Sequence, residues 1–95
     1  MPDLSAYRLE VSPAASRDLE KMQERIHKKD FDRLANAIDK LSKEPRPRGV
    51  RKIEKADTAY RIRIGSYRVV YDVYDDKRIV VILQVVRRSE TTYKS

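Results

Sequence analysis

Several residue types that build structural or metal-binding centres are rare or missing from this sequence. It has no cysteine and a single histidine, His27, which excludes disulfides, thiolate metal sites and multi-histidine metal centres. Its longest apolar run, residues 79–86, has the length of a strand, whereas a membrane helix needs roughly 20 apolar residues. The N-terminus lacks the apolar segment of a signal peptide. We therefore expect a cytoplasmic protein without a bound metal or other cofactor.

Positive charge is what the sequence has in excess. Lys and Arg number 22 against 15 Asp and Glu, which gives a formal net charge of +7. A small basic domain predicts an anionic partner, either a nucleic acid or an acidic protein, although a surface charged for solubility is the simpler alternative. The 95 residues suffice for one domain with a modest core, so we assign residues 1–95 to a single domain.

Two helices are predicted in the first half of the chain. Ser12 and Pro13 are a favourable N-cap and first helical residue, and apolar residues recur at helical spacing from there to about His27. Asp30 is the predicted cap of a second helix, which should stop at Glu44-Pro45. The two apolar stripes consist of Ala15, Leu19, Met22 and Ile26, and of Phe31, Leu34, Ile38 and Leu41. A helical hairpin with such stripes can cover one face of a sheet.

Alternating patterns predict the strands that flank these helices. One strand precedes them, and after the loop "EPRPRG" the sequence alternates with a period of two. The predicted strands are Tyr7–Val11, a short edge strand at Val50–Glu54, and Ala59–Ile64, Tyr67–Tyr74 and Ile79–Val86. The order β-α-α-β-β-β-β predicts an α+β fold, in which a helical hairpin packs on one face of a mainly antiparallel sheet. We expect the other face to lie open to solvent or to a partner.

The first predicted hairpin carries a row of arginines. Gly65-Ser66 suits a two-residue turn with glycine at its first position, which places Arg63 opposite Arg68. Arg61 lies on the same side, and the alternate residues form an apolar side that belongs against the helices. This apolar side comprises Tyr60, Ile62, Ile64, Tyr67, Val69, Tyr71 and Val73. Directly opposed arginines destabilise a sheet, so their presence favours a bound anion on the arginine side.

The second hairpin is predicted to bring a fourth arginine to that side. If the loop "DDKR" has an even number of residues, Asp72 faces Val81. Arg68 then faces Val85, and Arg87 falls on the arginine side. An apolar floor accompanies the arginines there, formed by Val70, Val81, Leu83 and Val85. Arginine suits phosphate because its planar fork binds two oxygens and never loses its charge. A bulge in the last strand would instead turn Arg87 towards the helices.

From "YRLEVSPAASRDLEKM" to "RRSETTYK", the sequence resembles the RelE/ParE superfamily of bacterial and archaeal type II toxins. The most specific stretch, "YRIRIGSYRVVYDVYDDKRIVVILQVVRR", is similar to that family's central hairpins. RelE-like members are ribosome-dependent endoribonucleases that cut mRNA in the ribosomal A site. ParE-like members inhibit DNA gyrase and lack the catalytic set. The resemblance implies a RelE-like mRNA interferase that inhibits translation by metal-independent attack of the 2′-OH.

The resemblance also implies which residues form the active site. By position, the catalytic set is Arg61, Arg63, Arg68, Arg87 (or its neighbour Arg88) and Tyr93. We expect RNA and ribosome contacts from Arg46, Arg48, Lys52, Arg88 and Lys94. Arg61 and Arg63 stand where the family often has lysine, and arginine is a poor general base.

The implied partners follow from the same resemblance. They are a cognate RelB-like antitoxin that covers the basic groove, the ribosome with its mRNA, and operator DNA bound through the antitoxin. Arg87 and Tyr93 favour the endonuclease over a ParE-like gyrase inhibitor, which would tolerate the loss of both. A plain nucleic-acid-binding module is a third alternative, and against it no helix-turn-helix pattern is visible in the sequence.

Overall fold

The computed structural model describes residues 6–54 and 56–87 of the chain. In chain order, the elements are β1 (Arg8–Val11), α1 (Pro13–Arg25), α2 (Lys28–Lys40), β2 (Arg51–Lys52), β3 (Ala59–Ile64), β4 (Tyr67–Tyr74) and β5 (Ile79–Arg87). One sheet contains the strands in the order β1-β5-β4-β3-β2. β1 runs parallel to β5, and the other pairs are antiparallel. Both helices pack on this sheet, which confirms the predicted α+β fold, with β2 as an edge strand.

The two helices begin at different kinds of cap. The Ala15 backbone N–H donates to Ser12 Oγ at 3.1 Å, as the sequence predicts for α1. His27 is the N-cap of α2 and makes no side-chain capping bond, while the Phe31 N–H donates to the His27 carbonyl at 3.0 Å. The prediction that Asp30 caps α2 is wrong, because Asp30 lies within its first turn. Its negative charge there interacts favourably with the helix dipole. Neither α1 nor α2 is long and apolar enough to cross a membrane.

The core lies between the helices and one face of the sheet. Val69 and Tyr71 of β4 and Val80 and Ile82 of β5 are fully buried, and Leu34 of α2 is 1% exposed. The buried cluster comprises Ala15, Leu34, Ile38, Leu41, Ile64, Tyr67, Val69, Tyr71, Val73, Val80, Ile82 and Val85. The predicted apolar side of the first hairpin is therefore confirmed as the helix-facing side. We call the opposite face of the sheet the outer face.

The β3–β4 hairpin has the predicted register. Ile64 pairs with Tyr67, and Arg63 pairs with Arg68. Gly65 has a φ of 61°, the positive value that the first position of a type II′ turn requires and that glycine adopts without strain. The turn therefore fixes the arginines on the outer face.

A β-bulge in β5 changes the register of the second hairpin halfway along. Asp72 pairs with Val81, as expected for an even-length loop, but Tyr71 pairs with Ile82 while Val70 pairs with Gln84, which leaves Leu83 as the extra residue. The start of α1 holds this irregular backbone. Ser12 Oγ donates to the Leu83 carbonyl at 3.1 Å, and the Val85 N–H donates to Asp18 Oδ2 at 2.9 Å.

The bulge overturns two register predictions. Arg68 pairs with Val86 rather than Val85, and Arg87 pairs with Tyr67, whose ring is in the core. Val85 is 1% exposed and belongs to the core instead of the outer face. The physical reason is that one extra residue reverses the facing of every residue beyond it.

Leu34→Ala, in the core, should destabilise the protein much more than Leu83→Ala, at the bulge. We expect the Leu34 variant to lose about 2–5 kcal/mol of the free energy of unfolding, because it leaves a cavity between α2 and the sheet. The Leu83 variant, which removes a half-buried side chain at the bulge, should lose less than half as much. Urea unfolding of both variants measures the difference, and equal losses would contradict this assignment of the core.

Candidate functional site

A groove lined mainly by arginines lies where β2, β3 and β4 meet the loop before β2. It encloses about 320 Å³. Its lining, which we call the arginine groove, consists of Arg48, Gly49, Arg51, Arg61, Ile62, Arg63 and Arg68. None of these lining residues is acidic. Such a concave, strongly cationic surface suits a polyanion.

The groove contains two pairs of arginines, and in each pair the two residues are directly opposed on neighbouring strands. Arg51 of β2 is directly opposite Arg61 of β3, and Arg63 of β3 is directly opposite Arg68 of β4. β3 thus contributes one arginine to each pair, and both pairs lie on the outer face. Like charges at directly opposed positions destabilise a sheet, so the pairing of Arg51 with Arg61 costs stability that a bound anion would restore.

Three of the five predicted catalytic residues lie together in the groove, and Arg87 lies elsewhere. Arg61, Arg63 and Arg68 line the groove. Arg87 instead lines a cleft of about 200 Å³ between α1 and the end of β5, together with Asp18, Lys21, Met22, Arg25, Ile26, Tyr67, Val85 and Val86. The predicted convergence of four guanidinium groups on the outer face is therefore wrong, because of the bulge at Leu83. Tyr93 lies outside the described residues.

Of the five other residues predicted to contact RNA or the ribosome, one lines the arginine groove, two lie elsewhere and two are outside the described residues. Arg48 lines the groove. Lys52 pairs with Tyr60, so its register position is on the helix-facing side of β2. Arg46 is bonded to other residues, described below. Arg88 and Lys94 lie outside the described residues.

Arg51 is a groove residue that the sequence prediction omitted. The prediction of a short edge strand there was correct, but the position of Arg51 opposite Arg61 depends on the register between two segments joined by a loop. The alternation of Arg51 with Lys52 was the available signal. It could not show which of the two side chains shares a face with Arg61.

Arg46 belongs to a hydrogen-bonded cluster that we call the Asp75 clamp, made of Tyr7, Arg46, Tyr60 and Asp75. Arg46 Nη2 donates to Asp75 Oδ2 at 2.7 Å, and Nη1 donates to Oδ1 at 3.2 Å. The Tyr7 hydroxyl donates to Oδ1 of the same carboxylate at 2.7 Å. Arg46 Nε donates to the Tyr60 hydroxyl at 2.9 Å. The clamp therefore links the residue before β1, the loop before β2, β3 and the β4–β5 turn.

Ionisation within the clamp reflects these bonds. The hydrogen bonds from Arg46, and then from Tyr7, lower the pKa of Asp75 below its ordinary value. The bond to Asp75 raises the pKa of Tyr7. Both changes favour the charged carboxylate beside a protonated phenol, which is the pairing the geometry shows.

The chemistry open to the arginine groove is binding and stabilising negative charge. Fixed guanidinium groups stabilise charge that develops on a phosphate, because they are already oriented before the reaction begins. The groove lining contains no carboxylate or imidazole, so a general base does not come from the lining. Among residues 6–54 and 56–87, no three His, Asp or Glu side chains are placed to hold a metal ion.

Comparisons with known proteins find one family model that matches nearly the whole chain and a relative that matches part of it. A family model described as "ParE toxin of type II toxin-antitoxin system, parDE" matches residues 9–92, which include every residue of the arginine groove. The putative toxin RelE1 of Methanocaldococcus jannaschii is 38% identical over 61 residues, or 61% of this chain and 67% of that protein.

Solved structures of toxin–antitoxin complexes are similar in fold. The toxin chain in the RelE–RelB complex of Pyrococcus horikoshii OT3 is similar with a TM-score of 0.74 and 28% identity, over 90% of this chain and 99% of that chain. The match in the RelBE2 complex of Mycobacterium tuberculosis has a TM-score of 0.71 and 27% identity, over 87% of this chain and 99% of that chain. The likeness therefore includes both helices and the sheet.

Replacing Arg61 with glutamine should stabilise the protein. The substitution removes the like-charge contact with Arg51 and keeps a side chain of similar reach, so we expect the free energy of unfolding to rise by about 0.2–1 kcal/mol at low salt. The gain should shrink as salt screens the charges. Urea unfolding at two salt concentrations measures it. Lys77→Gln, in the exposed β4–β5 turn, is the control, and an Arg61 variant that is less stable at low salt would contradict the predicted repulsion.

The Asp75 clamp should make the stability of the protein depend on pH in the acid range. Because its folded-state pKa is lowered, Asp75 contributes stability that is fully present above the unfolded-state pKa, about 3.9, and is lost as the pH falls through the folded-state value. A carboxyl-carbon NMR titration should show Asp75 ionising below its ordinary pKa. In Arg46→Ala the value should return towards the ordinary one, whereas Lys28→Ala, which breaks the separate Lys28–Asp32 pair, should leave it unchanged. An unaltered titration in Arg46→Ala would contradict the assignment.

Proposed function

This chain belongs to the ParE toxin family of type II toxin–antitoxin systems, within the RelE/ParE superfamily, and we propose that it is a ribosome-dependent mRNA endonuclease. In this proposal the toxin enters the ribosomal A site and cuts the mRNA there, which stops translation. The observation that supports the proposal is the arginine groove, where two opposed arginine pairs lie in one concave surface. Paired guanidinium groups are suited to the phosphates of an RNA strand.

The reaction is attack of a ribose 2′-OH on the adjacent phosphate. A bond forms between the 2′-oxygen and phosphorus, and the bond from phosphorus to the 5′-oxygen breaks, which leaves a 2′,3′-cyclic phosphate and a 5′-hydroxyl. The 2′-OH loses its proton to a base, and the departing 5′-oxygen gains one. Between formation of the first bond and cleavage of the second lies a phosphorane with extra negative charge. Fixed cations accelerate the reaction by stabilising that charge.

Each groove arginine has a role in this proposal. Arg68 and Arg63 stabilise the phosphorane from adjacent strands, while Arg61, Arg51 and Arg48 hold flanking phosphates. Arginine stays protonated at neutral pH, so these residues supply charge and the proton acceptor is another group. Alignment of the mRNA by the ribosome would let a weak base suffice, since proper orientation alone lowers the barrier substantially.

Arg87 and Tyr93 remain predicted catalytic residues through the family resemblance. Arg87 is at the very end of β5, on the helix-facing side by register. To take part, either the Arg87 side chain must reach around the first residue of β4, Tyr67, to the arginine groove, or the mRNA must extend around it from the groove to Arg87. The cleavage assay below tests Arg87 separately from the groove for this reason.

The proposed regulator is a RelB-like antitoxin whose carboxylates pair with the groove arginines. Two of the similar structures are RelE–RelB and RelBE2 complexes, which supports an antitoxin of this kind. Covering the groove would neutralise the like-charge repulsion between β2 and β3 and exclude RNA in one step. Any operator DNA would be bound by the antitoxin in the complex.

A ParE-like gyrase inhibitor is the second candidate. The matching family model carries the ParE name, and the bulge places Arg87 away from the groove. A gyrase inhibitor acts by protein contact and would tolerate the loss of Arg87. Under this alternative, the arginine groove would bind only the antitoxin.

Primer extension on programmed ribosomes separates the two candidates. We expect the purified protein to cut a defined mRNA within the A-site codon, with no cleavage when ribosomes are omitted. Arg68→Ala should lower the rate by about 100-fold or more, as expected for the loss of one group that stabilises transition-state charge. Lys77→Ala, on the exposed β4–β5 turn, is the matched control and should cut at the parent rate.

Two further variants test whether Arg87, at the end of β5, and Tyr93, beyond it, belong to the catalytic set. If Arg87→Ala and Tyr93→Phe also lose cleavage, the catalytic set extends beyond the arginine groove. Intact mRNA with a correctly folded parent protein would overturn the endonuclease proposal. Inhibition of gyrase supercoiling by the same preparation would then support the second candidate.

A further inference from the structure

The short edge strand β2 is held next to β3 against an electrostatic penalty. β2 has only two residues, and one of its two pairings puts Arg51 opposite Arg61. Beyond the strand, the Ile53 N–H donates to the Ala59 carbonyl at 3.0 Å. So short a ladder with opposed cations is a weak attachment. The position of the groove wall formed by Arg48 and Arg51 must therefore depend on contacts outside the strand itself.

The segment just before β2 is attached to the sheet through Pro45 and Arg46, in addition to the packing of Val50 against the core. The Tyr71 hydroxyl donates to the Pro45 carbonyl at 2.7 Å, and its burial raises the pKa of Tyr71, so that the proton needed for this bond is retained. Arg46, the next residue, makes its two-pronged ion pair with Asp75 and lies over the Tyr60 ring, 5.1 Å from its centroid. These contacts fix the loop two residues before Arg48.

We propose that Asp75 and Arg46 are positioning residues for the arginine groove. The Asp75 clamp holds the loop so that Arg48 and Arg51 stand close to Arg61 before any anion arrives. Neither Asp75 nor Arg46 lines the groove, so their effect on the groove passes through the backbone of the loop. The inference rests on the proposed function only in that the groove binds an RNA phosphate backbone.

The physical advantage of the clamp is preorganisation. Without it, repulsion between Arg51 and Arg61 would favour separation of β2 from β3, and each binding event would have to bring the strand back. With it, the cost of holding the cations together is met in the folded protein by a two-pronged ion pair and a buried tyrosine. The opposite wall, Arg63 and Arg68, is built by the β3–β4 hairpin and should be independent of the clamp.

A double-mutant cycle tests this difference between the two walls. The probe is a 2′-O-methyl RNA hexanucleotide, which lacks the attacking hydroxyl, at low salt with the full-length chain. In the parent, Arg48→Ala and Arg68→Ala should each weaken binding by about tenfold, as for a charge-assisted hydrogen bond. In the Asp75→Asn background, the Arg48→Ala effect should fall to less than about threefold, because Arg48 is no longer held in place. The Arg68→Ala effect should stay near tenfold.

Hydrogen exchange supplies a structural measurement that requires no ligand. Asp75→Asn should speed exchange of the Ile53 amide, which bonds across to β3, while amides of the β4–β5 ladder keep their protection. Asp75→Glu, which keeps the charge, should restore part of the protection and part of the binding. Lys28→Ala, which removes the separate exposed ion pair with Asp32, should change neither and controls for general loss of an ion pair.

The outcomes distinguish this inference from the proposed function. Equal Arg48→Ala effects in both backgrounds, with unchanged Ile53 exchange, would overturn the positioning role. Loss of protection throughout the sheet, or weakening of both cycles alike, would also overturn it, since that is the result of general destabilisation. No binding of the hexanucleotide by the parent would overturn it as well. Failure of the ribosome assay with the coupling intact would remove the endonuclease proposal and leave the positioning role standing.

Discussion

The antiparallel register of β3 with both of its neighbours is the constraint on which the functional surface depends. It sets Arg61 against Arg51 and Arg63 against Arg68, so that like charges meet twice in one small sheet. A slip of one residue would send these arginines into the core and the core residues to the outer face. The register is secured by the glycine turn at Gly65 and by the buried alternate residues of β3 and β4. Burial of apolar side chains on one face thus enforces the repulsive arrangement on the other.

The separation of the two sheet faces lets a basic toxin carry such a surface and still fold. The sheet face that supplies stability, with Val69, Tyr71, Val80 and Ile82 fully buried, is separate from the face that carries the arginine groove. The penalty for the directly opposed Arg51 and Arg61 is at most about 1 kcal/mol, which a packed core can sustain. An anion bound in the arginine groove would relieve that penalty, so binding would remove a repulsion as well as add contacts.

Local patterns predicted the parts of the structure that local forces determine. The bounds of β3 and β4, their turn, the Ser12 cap and the buried faces all follow from alternation, turn chemistry and helical spacing. The bulge at Leu83 did not follow, because "IVVILQVV" reads as one regular apolar strand and the extra residue is held by Ser12 and Asp18, about 70 positions away. That single residue moved Arg87 off the arginine side. The ion pair of Arg46 could not be predicted for the same reason, since its partner Asp75 is 29 positions distant.

Cryo-electron microscopy of the toxin on ribosomes would show directly whether the arginine groove receives the phosphate at which we propose that mRNA is cut. The ribosomes would carry an mRNA with 2′-O-methyl groups in the A-site codon, so that the substrate stays intact. We expect a backbone phosphate of that codon within hydrogen-bond distance of Arg63 and Arg68, with Arg48 and Arg51 on neighbouring phosphates. An A-site phosphate seated in the cleft between α1 and β5, with the arginine groove facing solvent, would contradict it.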